Sequence, residues 1–384
     1  MMKVLFVTRG WPTKENPMSG NYEAVQAKAV ARLGVDVTVL NFKWRSVFRP
    51  DKSAHDVEFT DDGIHVIQQT ISLPVLPHVL NNFKLNRFFK QQAVIRFYRR
   101  YLRNHTPFDV IHAHSAFEAY LLPPLTQRFR IPLVITEHWS KMNESSITAE
   151  IRAMSEAYRT ADAIVTVSKA LADSLKSKFG VESRVIHNMV PDSFFSSQAA
   201  SRPNGRIRLV STGALREPKG FDILIKGLAL ARHREDCSLT IIGDGPEREN
   251  LQKCIDEQGL QDRVTLAGRK TPEEVSQLLC DADCFALTSR TETFGIVYIE
   301  AMAKGLPVIA TVCGGPESFV NEHNGLLIPV DDVEATAHAI DHMAEHIGDY
   351  DRKAIRKFCY DSFSQDRIAE QIIKVYQEVL HRTR

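Results

Sequence analysis

Hydrophobic and polar positions follow a strand-then-helix order from the first residues of the chain. Short apolar runs bounded by turn residues are typical of buried strands, and segments whose apolar residues recur every three or four positions are typical of helices. The strands predicted in the first half are Lys3–Val7, Asp36–Leu40, Ile64–Gln68, Val110–His112, Pro132–Thr136, Ala163–Val167 and Arg184–Ile186. The helices predicted there are Tyr22–Leu33, Leu85–Arg103, Phe117–Phe129, Ile147–Arg159 and Lys169–Lys178. This alternation predicts a parallel sheet with helices on both faces.

A segment rich in turn residues, Asn188–Gly205, interrupts this order and predicts a linker. The alternation then restarts, with predicted strands at Arg208–Ser211, Leu239–Ile242, Val264–Leu266, Cys284–Leu287, Val308–Ala310 and Leu326–Ile328. Thr271 and Glu274 form the pattern of a capping box, and a last helix is predicted at Gln365–Arg382. A chain of 384 residues exceeds what one hydrophobic core usually holds. We therefore expect an α/β protein of two doubly wound parallel-sheet domains, 1–190 and 206–364.

The bulk composition narrows the functional classes. Hydrophobic residues make up 43% and charged residues 25%, and the formal net charge of +1 argues against a general nucleic-acid binder. No apolar stretch approaches the roughly 20 residues of a membrane-spanning helix, and the N-terminus begins a strand rather than a signal peptide. The six cysteines lie between Cys237 and Cys359, and the nearest pair, Cys280 and Cys284, fits core positions. These features favour a cytoplasmic protein with reduced thiols.

The most informative segment brackets a glycine with two glutamates. Glu292 and Glu300 stand on either side of Gly295, which opens a predicted helix at Ile296–Ala303. A helix N-terminus offers unpaired backbone N–H groups and a positive dipole end, which suit a phosphate. Carboxylates only accept hydrogen bonds, so these side chains suit the hydroxyl groups beside such a phosphate. The pattern favours a sugar-nucleotide site, although a glutamate pair alone is as often a dipole partner or a solvated helix face.

The segment from Glu292 to Ala310 closely resembles the signature of glycosyltransferase family 4, with its E-x7-E motif. The resemblance implies the GT-B fold, in which two Rossmann-like domains face each other across a cleft. It also implies sugar transfer from a nucleotide donor with retention of configuration and without a metal ion. Residues 1–190 would bind the acceptor, residues 206–364 the nucleotide sugar, and the last helix, 365–384, would pack back on the first domain.

The resemblance also assigns the donor side of the site. Glu292 would hold the donor sugar, Glu300 the ribose hydroxyls, and Lys219 the diphosphate, whose growing charge a cation stabilises. The family has an arginine where this chain has Ala214, and Arg216 is the expected substitute. The remaining donor-binding residues that the resemblance implies are Gly20, Gly213, Gly243, Gly268, Arg269, Phe294, Gly295, Ile296 and Val297.

Two histidines of the first domain are candidate site residues. A lone histidine is usually structural, but His138 lies at a predicted strand end and matches the histidine that family members hold beside the donor sugar. His114 and His112 share one face of the preceding strand. We expect His114 on the acceptor side and His112 packed inward. With no third ligand apparent, no metal site is predicted.

Residues 63–108 contain no Asp or Glu. Within them, between residues 83 and 103, basic and aromatic residues interleave: Lys84, Arg87, Lys90, Arg96, Arg99, Arg100 and Arg103, with Phe83, Phe88, Phe89, Phe97, Tyr98 and Tyr101. One interpretation is a helix that lies peripherally on the anionic inner face of a membrane, beside a lipid-linked acceptor. The other is an ordinary surface helix whose aromatic residues belong to the core.

These features predict a retaining glycosyltransferase of the hexosyl or N-acetylhexosaminyl class. We expect it to move a sugar from a nucleotide donor, most simply a UDP-sugar, to a glycan or lipid-linked acceptor in bacterial-type cell-surface polysaccharide or glycolipid synthesis. No cofactor and no nucleic-acid partner is expected. Two alternatives stay open: a GT-B sugar-nucleotide 2-epimerase, and a catalytically inactive nucleotide-sugar-binding protein, which the departure at Ala214 would suit.

Overall fold

The computed structural model describes residues 1–13, 16, 19–46, 56–73, 83–139, 142, 147–196 and 206–383. The chain divides into two compact units. The first unit comprises Met1–Val167, Leu171–His187 and Gln365–Arg384, and the second comprises Ser168–Ala170 and Asn188–Ser364. The predicted linker therefore begins with residues that pack in the second unit, where Val190 N donates to Phe363 O at 2.9 Å. Its remainder, 197–205, lies outside the described residues.

The first unit is built on one sheet. Its strands are β1 (Lys3–Thr8), β2 (Asp36–Ser46), β3 (Val57–Asp61), β4 (Ile64–Leu73), β5 (Val110–His114), β6 (Leu133–Glu137), β7 (Ala163–Thr166) and β8 (Arg184–Val185). Among the described residues they form the order β3-β4-β2-β1-β5-β6-β7-β8. Every neighbouring pair is parallel except β3 and β4, which form an antiparallel hairpin. Strand β3 was not predicted from the sequence. Because it pairs antiparallel with β4, the sheet is mixed at this edge rather than purely parallel, as the sequence had predicted.

The helices of the first unit before the linker are α1 (Asn21–Arg32), α2 (Phe83–Tyr101), α3 (Ala116–Ala119), α4 (Pro123–Phe129), α5 (Ala149–Ser155) and α6 (Lys169–Phe179). Two predicted helices were wrong in their continuity. The one predicted at Phe117–Phe129 is two helices, because Pro123 lacks the N–H that a continuing helix needs and instead begins α4. The one predicted at Ile147–Arg159 is α5 followed by a 3-10 helix, Glu156–Thr160.

The second unit repeats the alternation. Its strands are β9 (Ile207–Thr212), β10 (Cys237–Ile242), β11 (Val264–Gly268), β12 (Cys284–Leu287), β13 (Val308–Thr311) and β14 (Gly325–Ile328). Its helices are α7 (Phe221–Leu230), α8 (Arg248–Glu257), α9 (Pro272–Cys280), α10 (Ile296–Ala303), α11 (Val333–His346) and α12 (Arg352–Phe363). The capping box predicted at α9 is present, since Glu274 N donates to the Thr271 hydroxyl and Thr271 N to the Glu274 carboxylate.

The last helix, α13 (Gln365–Thr383), belongs to the first unit and packs on α1. An ion pair of 2.8 Å joins Arg32 of α1 to Asp366 of α13. Tyr376 of α13 is fully buried and reaches β5, where its hydroxyl lies 2.6 Å from His112 Nδ1. The C-terminal helix is thus part of the core of the first unit.

Strand order indicates where each unit would bind a ligand. The described strands of the second unit follow the order β11-β10-β9-β12-β13-β14, all parallel, which reverses direction between β9 and β12. In the first unit the reversal falls between β1 and β5. Ligands of open α/β sheets bind beyond the carboxyl ends of the strands at such a reversal. We therefore expect ligands at the loops after β9 and β12 in the second unit and at those after β1, β5 and β6 in the first. In the described part of the chain, no helix is both long and apolar enough to cross a bilayer.

Candidate functional site

The two loops at the strand-order reversal of the second unit meet in one ion pair. Lys219 lies in a 3-10 turn after β9, and Glu292 lies between β12 and α10. Lys219 Nζ donates to Glu292 Oε1 at 2.6 Å, and the side chains are only 28% and 10% exposed. A cation and a carboxylate are thus held together, little exposed to water, at the point where a doubly wound sheet binds its ligand.

Glu292 has a second polar partner that the sequence analysis did not single out. The hydroxyl of Ser289 donates to the same Oε1 atom at 2.8 Å, and Ser289 is fully buried. The backbone of Glu292 is also fixed, because its N–H donates to Cys313 O, beyond the end of β13, at 3.2 Å. The signal in the sequence was a hydroxyl residue three positions before Glu292.

Gly295 begins α10 in a conformation that suits glycine. Its φ of +91° lies in the left-handed region, and no side chain caps the helix. A Cβ atom at Gly295 would meet the Tyr298 ring at 2.6 Å. The first N–H groups of the helix, on Ile296 and Val297, have no partner within the helix by geometry. They are therefore suited to an anion. Phe294, in contrast, is buried against Phe319 and Phe363, which leaves only its backbone for a ligand.

Glu300 lies on the second turn of α10, where part of the residue is exposed but its carboxyl group is buried. Burial raises its pKa to about 8. The carboxyl group is therefore substantially protonated at neutral pH until a partner favours its ionised form.

Glycines let the loops of the second unit approach one another closely. A Cβ atom at Gly243 would lie 1.8 Å from Gly213 O, and one at Gly245 would lie 2.4 Å from Leu215 O. A Cβ atom at Gly213 would make only ordinary contacts, with Phe221 at 3.5 Å and Lys219 at 3.8 Å. The lack of a side chain at Gly243 is thus required by loop packing, whereas Gly213 leaves space beside Lys219.

The last predicted donor loop follows β11. Gly268 has a φ of +73° and faces open space, and its carbonyl accepts from Gly243 N at 2.9 Å. Arg269 beside it is exposed.

Arg216 lines a cavity of about 160 Å³ on which Lys219 and Gly213 do not border. The other residues lining this cavity are Glu217, Phe221, Asp222, Glu247, Asn250, Leu251 and Arg290. Ala214, where the family has arginine, is exposed. Arg216 therefore shares this cavity with the acidic residues Glu217, Asp222 and Glu247, and its predicted approach to the diphosphate stays a prediction.

Arg290 ties the loop after β12 to the first turn of α7. Its guanidinium donates to both Asp222 carboxylate oxygens, at 3.1 and 3.0 Å, and lies 2.7 Å from Asp331. A bidentate arginine of this kind fixes geometry as well as charge. No role was predicted for Arg290 from the sequence.

In the first unit, two histidines on β5 and one after β6 form a cluster. The rings of His112 and His114 stack at 4.6 Å, and those of His114 and His138 lie 5.8 Å apart. His112 is fully buried between the Tyr376 hydroxyl at 2.6 Å and the Thr136 hydroxyl at 2.7 Å. Burial lowers its pKa to about 3, so His112 is a neutral structural residue packed inward, as expected.

His114 and His138 differ from His112 in one respect. Among the described residues, Nε2 of each is buried without a hydrogen-bond partner. Burial, with the neighbouring His112, holds the pKa of His114 well below its usual value, so the ring is neutral. Buried polar atoms without partners are uncommon in folded proteins and call for an explanation such as a ligand. In the described residues no cluster of three or more His, Cys, Asp or Glu side chains is placed to hold a metal ion.

The loop after β1 approaches the same end of the sheet. Gly20 begins α1 with a φ of +66°, and a Cβ atom there would lie 2.2 Å from Gly10 O. Loop packing therefore requires Gly20. Residues 14–15 and 17–18 of the loop lie outside the described residues, so its predicted approach to the donor stays a prediction.

Burial raises the pKa of Glu118 on α3 to about 8, although Ser115 Oγ donates to its carboxylate at 2.6 Å.

The basic stretch forms α2, and its aromatic residues divide into two sets. Tyr98 is fully buried, and Phe97 packs edge-on against Phe42 of β2. Phe88 and Phe89 are 53% and 40% exposed. The exposed basic residues are Arg96, Arg99, Arg100 and Arg103. At 3.6 residues per turn, Phe88, Phe89, Arg96, Arg99 and Arg100 fall within about a third of the helix circumference, and Arg103 lies in the turn that follows the end of the helix at Tyr101. The side chain of Lys84 lies outside the described residues.

Comparisons with known proteins agree on one class. The family model described as Glycosyltransferase Family 4 matches residues 21–194, and the model described as Glycosyl transferases group 1 matches residues 192–357. A GDP-mannose-dependent alpha-(1-6)-phosphatidylinositol monomannoside mannosyltransferase of Mycolicibacterium smegmatis is 26% identical over 359 residues, with 88% of each chain covered. A putative teichuronic acid biosynthesis glycosyltransferase of Bacillus subtilis is 26% identical over 362 residues, again with 88% of each chain covered.

Solved structures resemble the whole chain. Sucrose-phosphate synthase from Thermosynechococcus elongatus matches with a TM-score of 0.77 at 20% identity, covering 100% of both chains. HepE of Anabaena, solved in complex with UDP, matches with a TM-score of 0.74 at 20% identity, covering 98% of this chain and 100% of that one. At this identity the likeness concerns the fold, which is the same pair of parallel-sheet α/β units.

Proposed function

The chain belongs to glycosyltransferase family 4 and has the GT-B fold, as its sequence predicted, and from this premise we propose that it transfers a hexose or N-acetylhexosamine from a UDP-sugar to a glycan or lipid-linked acceptor. That it is a glycosyltransferase follows from its family. The donor base, the acceptor and a place in bacterial-type cell-surface polysaccharide or glycolipid synthesis are the proposed part. The observation that carries the proposal is the Lys219–Glu292 pair beside the Gly295 helix start.

The donor half of the proposal rests on an exchange of partners. Without ligand, Lys219 and Glu292 satisfy one another at 2.6 Å. A donor diphosphate would draw the Lys219 ammonium toward itself, because its charge exceeds that of one carboxylate. Glu292, still held by Ser289, would then accept hydrogen bonds from hydroxyl groups of the donor sugar.

The same cation would act on the chemical step. Negative charge grows on the diphosphate as the bond to the sugar breaks, and a preorganised cation stabilises that charge. The N–H groups of Ile296 and Val297 at the start of α10 would add a second positive dipole. Because these groups supply the positive charge, we propose that transfer with retention needs no bound metal ion. Arg216 is a candidate second cation, provided that its side chain leaves the cavity that it lines.

Glu300 would bind the ribose of the donor. Burial raises the pKa of its carboxyl group to about 8, and no ion pair to it is found among the described residues, so hydroxyl donors would favour the carboxylate. Gly268 and Arg269 would contact the base from the loop after β11.

The first unit would supply the groups that face the sugar and the acceptor. The unpartnered Nε2 atoms support this role for His138 toward the donor sugar and for His114 toward the acceptor. A neutral imidazole can accept a hydrogen bond from a hydroxyl group or donate one to it. Such a bond would satisfy an atom that is otherwise buried without a partner.

We also propose that α2 rests on an anionic membrane surface beside a lipid-linked acceptor. Two phenylalanines, 53% and 40% exposed, share one helix face with three exposed arginines, and the exposed Arg103 follows in the turn after the helix. Aromatic residues on such a face enter the interface, and arginines are attracted to anionic headgroups.

A panel of UDP- and GDP-sugars tests the proposal. We expect one UDP-sugar to raise the melting temperature and to be hydrolysed slowly without acceptor, with slower hydrolysis in Lys219→Ala. Conversion of UDP-GlcNAc to its 2-epimer would make the protein an epimerase, and binding without any turnover would make it a binding protein. Either outcome overturns the proposal. Preference for a GDP-sugar would overturn the donor base alone.

A further inference from the structure

We propose that Glu137 is a positioning residue that holds the His138 imidazole in place for transfer. This inference deepens the proposed function and rests on it, because it assumes that His138 contacts the donor sugar. No role was predicted for Glu137 from the sequence. Its place in the structure is the last residue of β6, immediately before that histidine.

The carboxylate of Glu137 is surrounded by hydrogen-bond donors. The residue is fully buried. Its Oε1 accepts from the backbone N–H groups of His138, at 3.0 Å, and Trp139, at 2.8 Å. Its Oε2 accepts from Ala116 N, at 2.8 Å, and from the Tyr158 hydroxyl, at 2.6 Å. Hydrogen bonds to an ionised carboxylate are the strong kind, and here three of the four fix backbone.

These bonds join two loops that carry the histidine cluster. One loop is the segment after β6, which bears His138. The other is the corner between β5, which ends at His114, and α3, which begins at Ala116. Ser115 at that corner has a φ of +83°, a conformation rare for residues other than glycine. The corner is also tied to β6, since Ser115 N donates to Thr136 O at 2.7 Å. One side chain thus fixes the backbones beside both unpartnered imidazoles.

Glu137 is not placed to do chemistry itself. It has no exposed surface, and both of its oxygens are occupied by donors of the protein. A substrate hydroxyl cannot reach it without breaking this arrangement. Its effect on transfer must therefore pass through His138 and the loop that it orders.

Three variants separate positioning from general stability. Glu137→Gln keeps a carbonyl oxygen for the His138 and Trp139 N–H groups but presents an amide N–H to Ala116. Glu137→Ala removes all four bonds. Tyr158→Phe is the matched control, because it removes one donor from the same carboxylate and leaves the loop bonds in place. The melting temperature of each variant is measured beside kcat and the KM for donor.

We expect kcat to fall about tenfold in Glu137→Gln and at least about 100-fold in Glu137→Ala, with a nearly unchanged donor KM, since small misplacements near the reacting atoms have such effects. Tyr158→Phe should stay within about threefold of the wild type. A loss of kcat in Tyr158→Phe equal to that in Glu137→Gln, at equal melting temperatures, would make Glu137 merely structural and overturn the proposal. If Glu137→Ala does not fold, the Gln and Phe variants still decide.

A second readout does not depend on turnover. In histidine-labelled protein, the ring resonances of His138 and His114 should shift in Glu137→Gln and remain in place in Tyr158→Phe. Unshifted rings in Glu137→Gln would overturn the positioning role even if transfer is confirmed. If the ring resonances shift in Glu137→Gln but the wild-type protein transfers no sugar, the proposed function is refuted, whereas the role of Glu137 in positioning its loop is supported.

Discussion

The Lys219 ammonium and the Glu292 carboxylate neutralise each other at 2.6 Å, although 73 positions separate them in the chain. The fold brings them together because β9 and β12 are neighbours where the strand order reverses. Each side chain has limited exposure, so water competes only in part for either charge. A ligand that takes Lys219 must therefore separate this pair.

Replacing Lys219 by alanine should lower turnover far more than nucleotide binding. We expect kcat to fall roughly 10²- to 10³-fold, the effect of removing one preorganised group from a developing charge. Transfer or donor-hydrolysis rates at saturating donor measure this. Lys226→Ala is the control, because Lys226 lies on α7 with its Nζ 3.9 Å from Asp222 and is 45% exposed. Near-normal turnover in Lys219→Ala would refute the role assigned to it.

Nucleotide affinity should rise with pH because of Glu300. Burial raises the pKa of this carboxyl group to about 8, and ribose hydroxyls would bind its ionised form. Below that pH, binding must first remove the proton, so the affinity should increase up to about tenfold per pH unit and level off above pH 8. Calorimetric titration with UDP between pH 6.5 and 9 measures the slope. Glu300→Gln should bind more weakly and lose this slope, and an equal slope in both proteins would contradict the assignment.

The same group affects the free energy of unfolding with the opposite sign. The folded-state pKa of Glu300 is raised above its ordinary 4.5, so the native state holds the proton more tightly than the unfolded state. The contribution of protonated Glu300 to the stability of the native state is fully present below about pH 4.5 and is lost as the pH rises through about 8. When the pH is raised from 5 to 9, the free energy of unfolding of Glu300→Gln should therefore increase by on the order of 1–3 kcal/mol relative to that of the wild type. Urea unfolding at the two pH values checks this.

Two neighbouring glycines should respond differently to alanine. A Cβ atom at Gly213 makes only ordinary contacts, so Gly213→Ala should change the free energy of unfolding by less than about 1 kcal/mol. It would, however, fill space beside Lys219, and we expect weaker donor binding. At Gly243, φ is +143° and a Cβ atom would lie 1.8 Å from Gly213 O, so Gly243→Ala should lose about 1–3 kcal/mol or more. Thermal melts and UDP titration distinguish the two effects, and unchanged UDP affinity in Gly213→Ala would remove Gly213 from the donor site.

Local signals in the sequence predicted most of the second unit correctly. Helix α10 has the predicted bounds Ile296–Ala303, because a glycine start and a compact apolar segment determine it locally. The hairpin of β3 and β4 was missed although Asp62-Gly63 is a strong turn signal, and both residues have positive φ. The residues of β3 alternate between partly buried and exposed, so this strand lacks the continuous apolar run that marks the buried parallel strands.

Side-chain partners were less predictable than elements. The sequence identified Lys219 and Glu292 separately, but their pairing depends on the strand order, which spacing does not reveal. The same holds for Glu137, because two of its four donors, Ala116 N and the Tyr158 hydroxyl, are distant in sequence and do not belong to any local pattern. The direction of Arg216 was also beyond prediction, since it depends on a cavity shared with α7 and α8.

The exposed face of α2 predicts binding to anionic vesicles. Each arginine near such a surface contributes about 1 kcal/mol, so replacing all four by glutamine should abolish co-sedimentation with phosphatidylglycerol vesicles. Phe88→Ser with Phe89→Ser should weaken binding separately, because these rings are 53% and 40% exposed. The arginines concerned are Arg96, Arg99, Arg100 and Arg103.

A matched control removes the same charge from other helices. Four exposed lysines serve for this: Lys253, Lys353, Lys357 and Lys374. Their replacement by glutamine lowers the net charge equally, so it should leave vesicle binding nearly intact if α2 is the contact. Binding should also fall steeply with added salt and be absent on neutral phosphatidylcholine vesicles, because headgroup charge supplies the attraction. Equal losses in the two quadruple variants would mean that net charge rather than this face is responsible, and α2 would then be an ordinary surface helix.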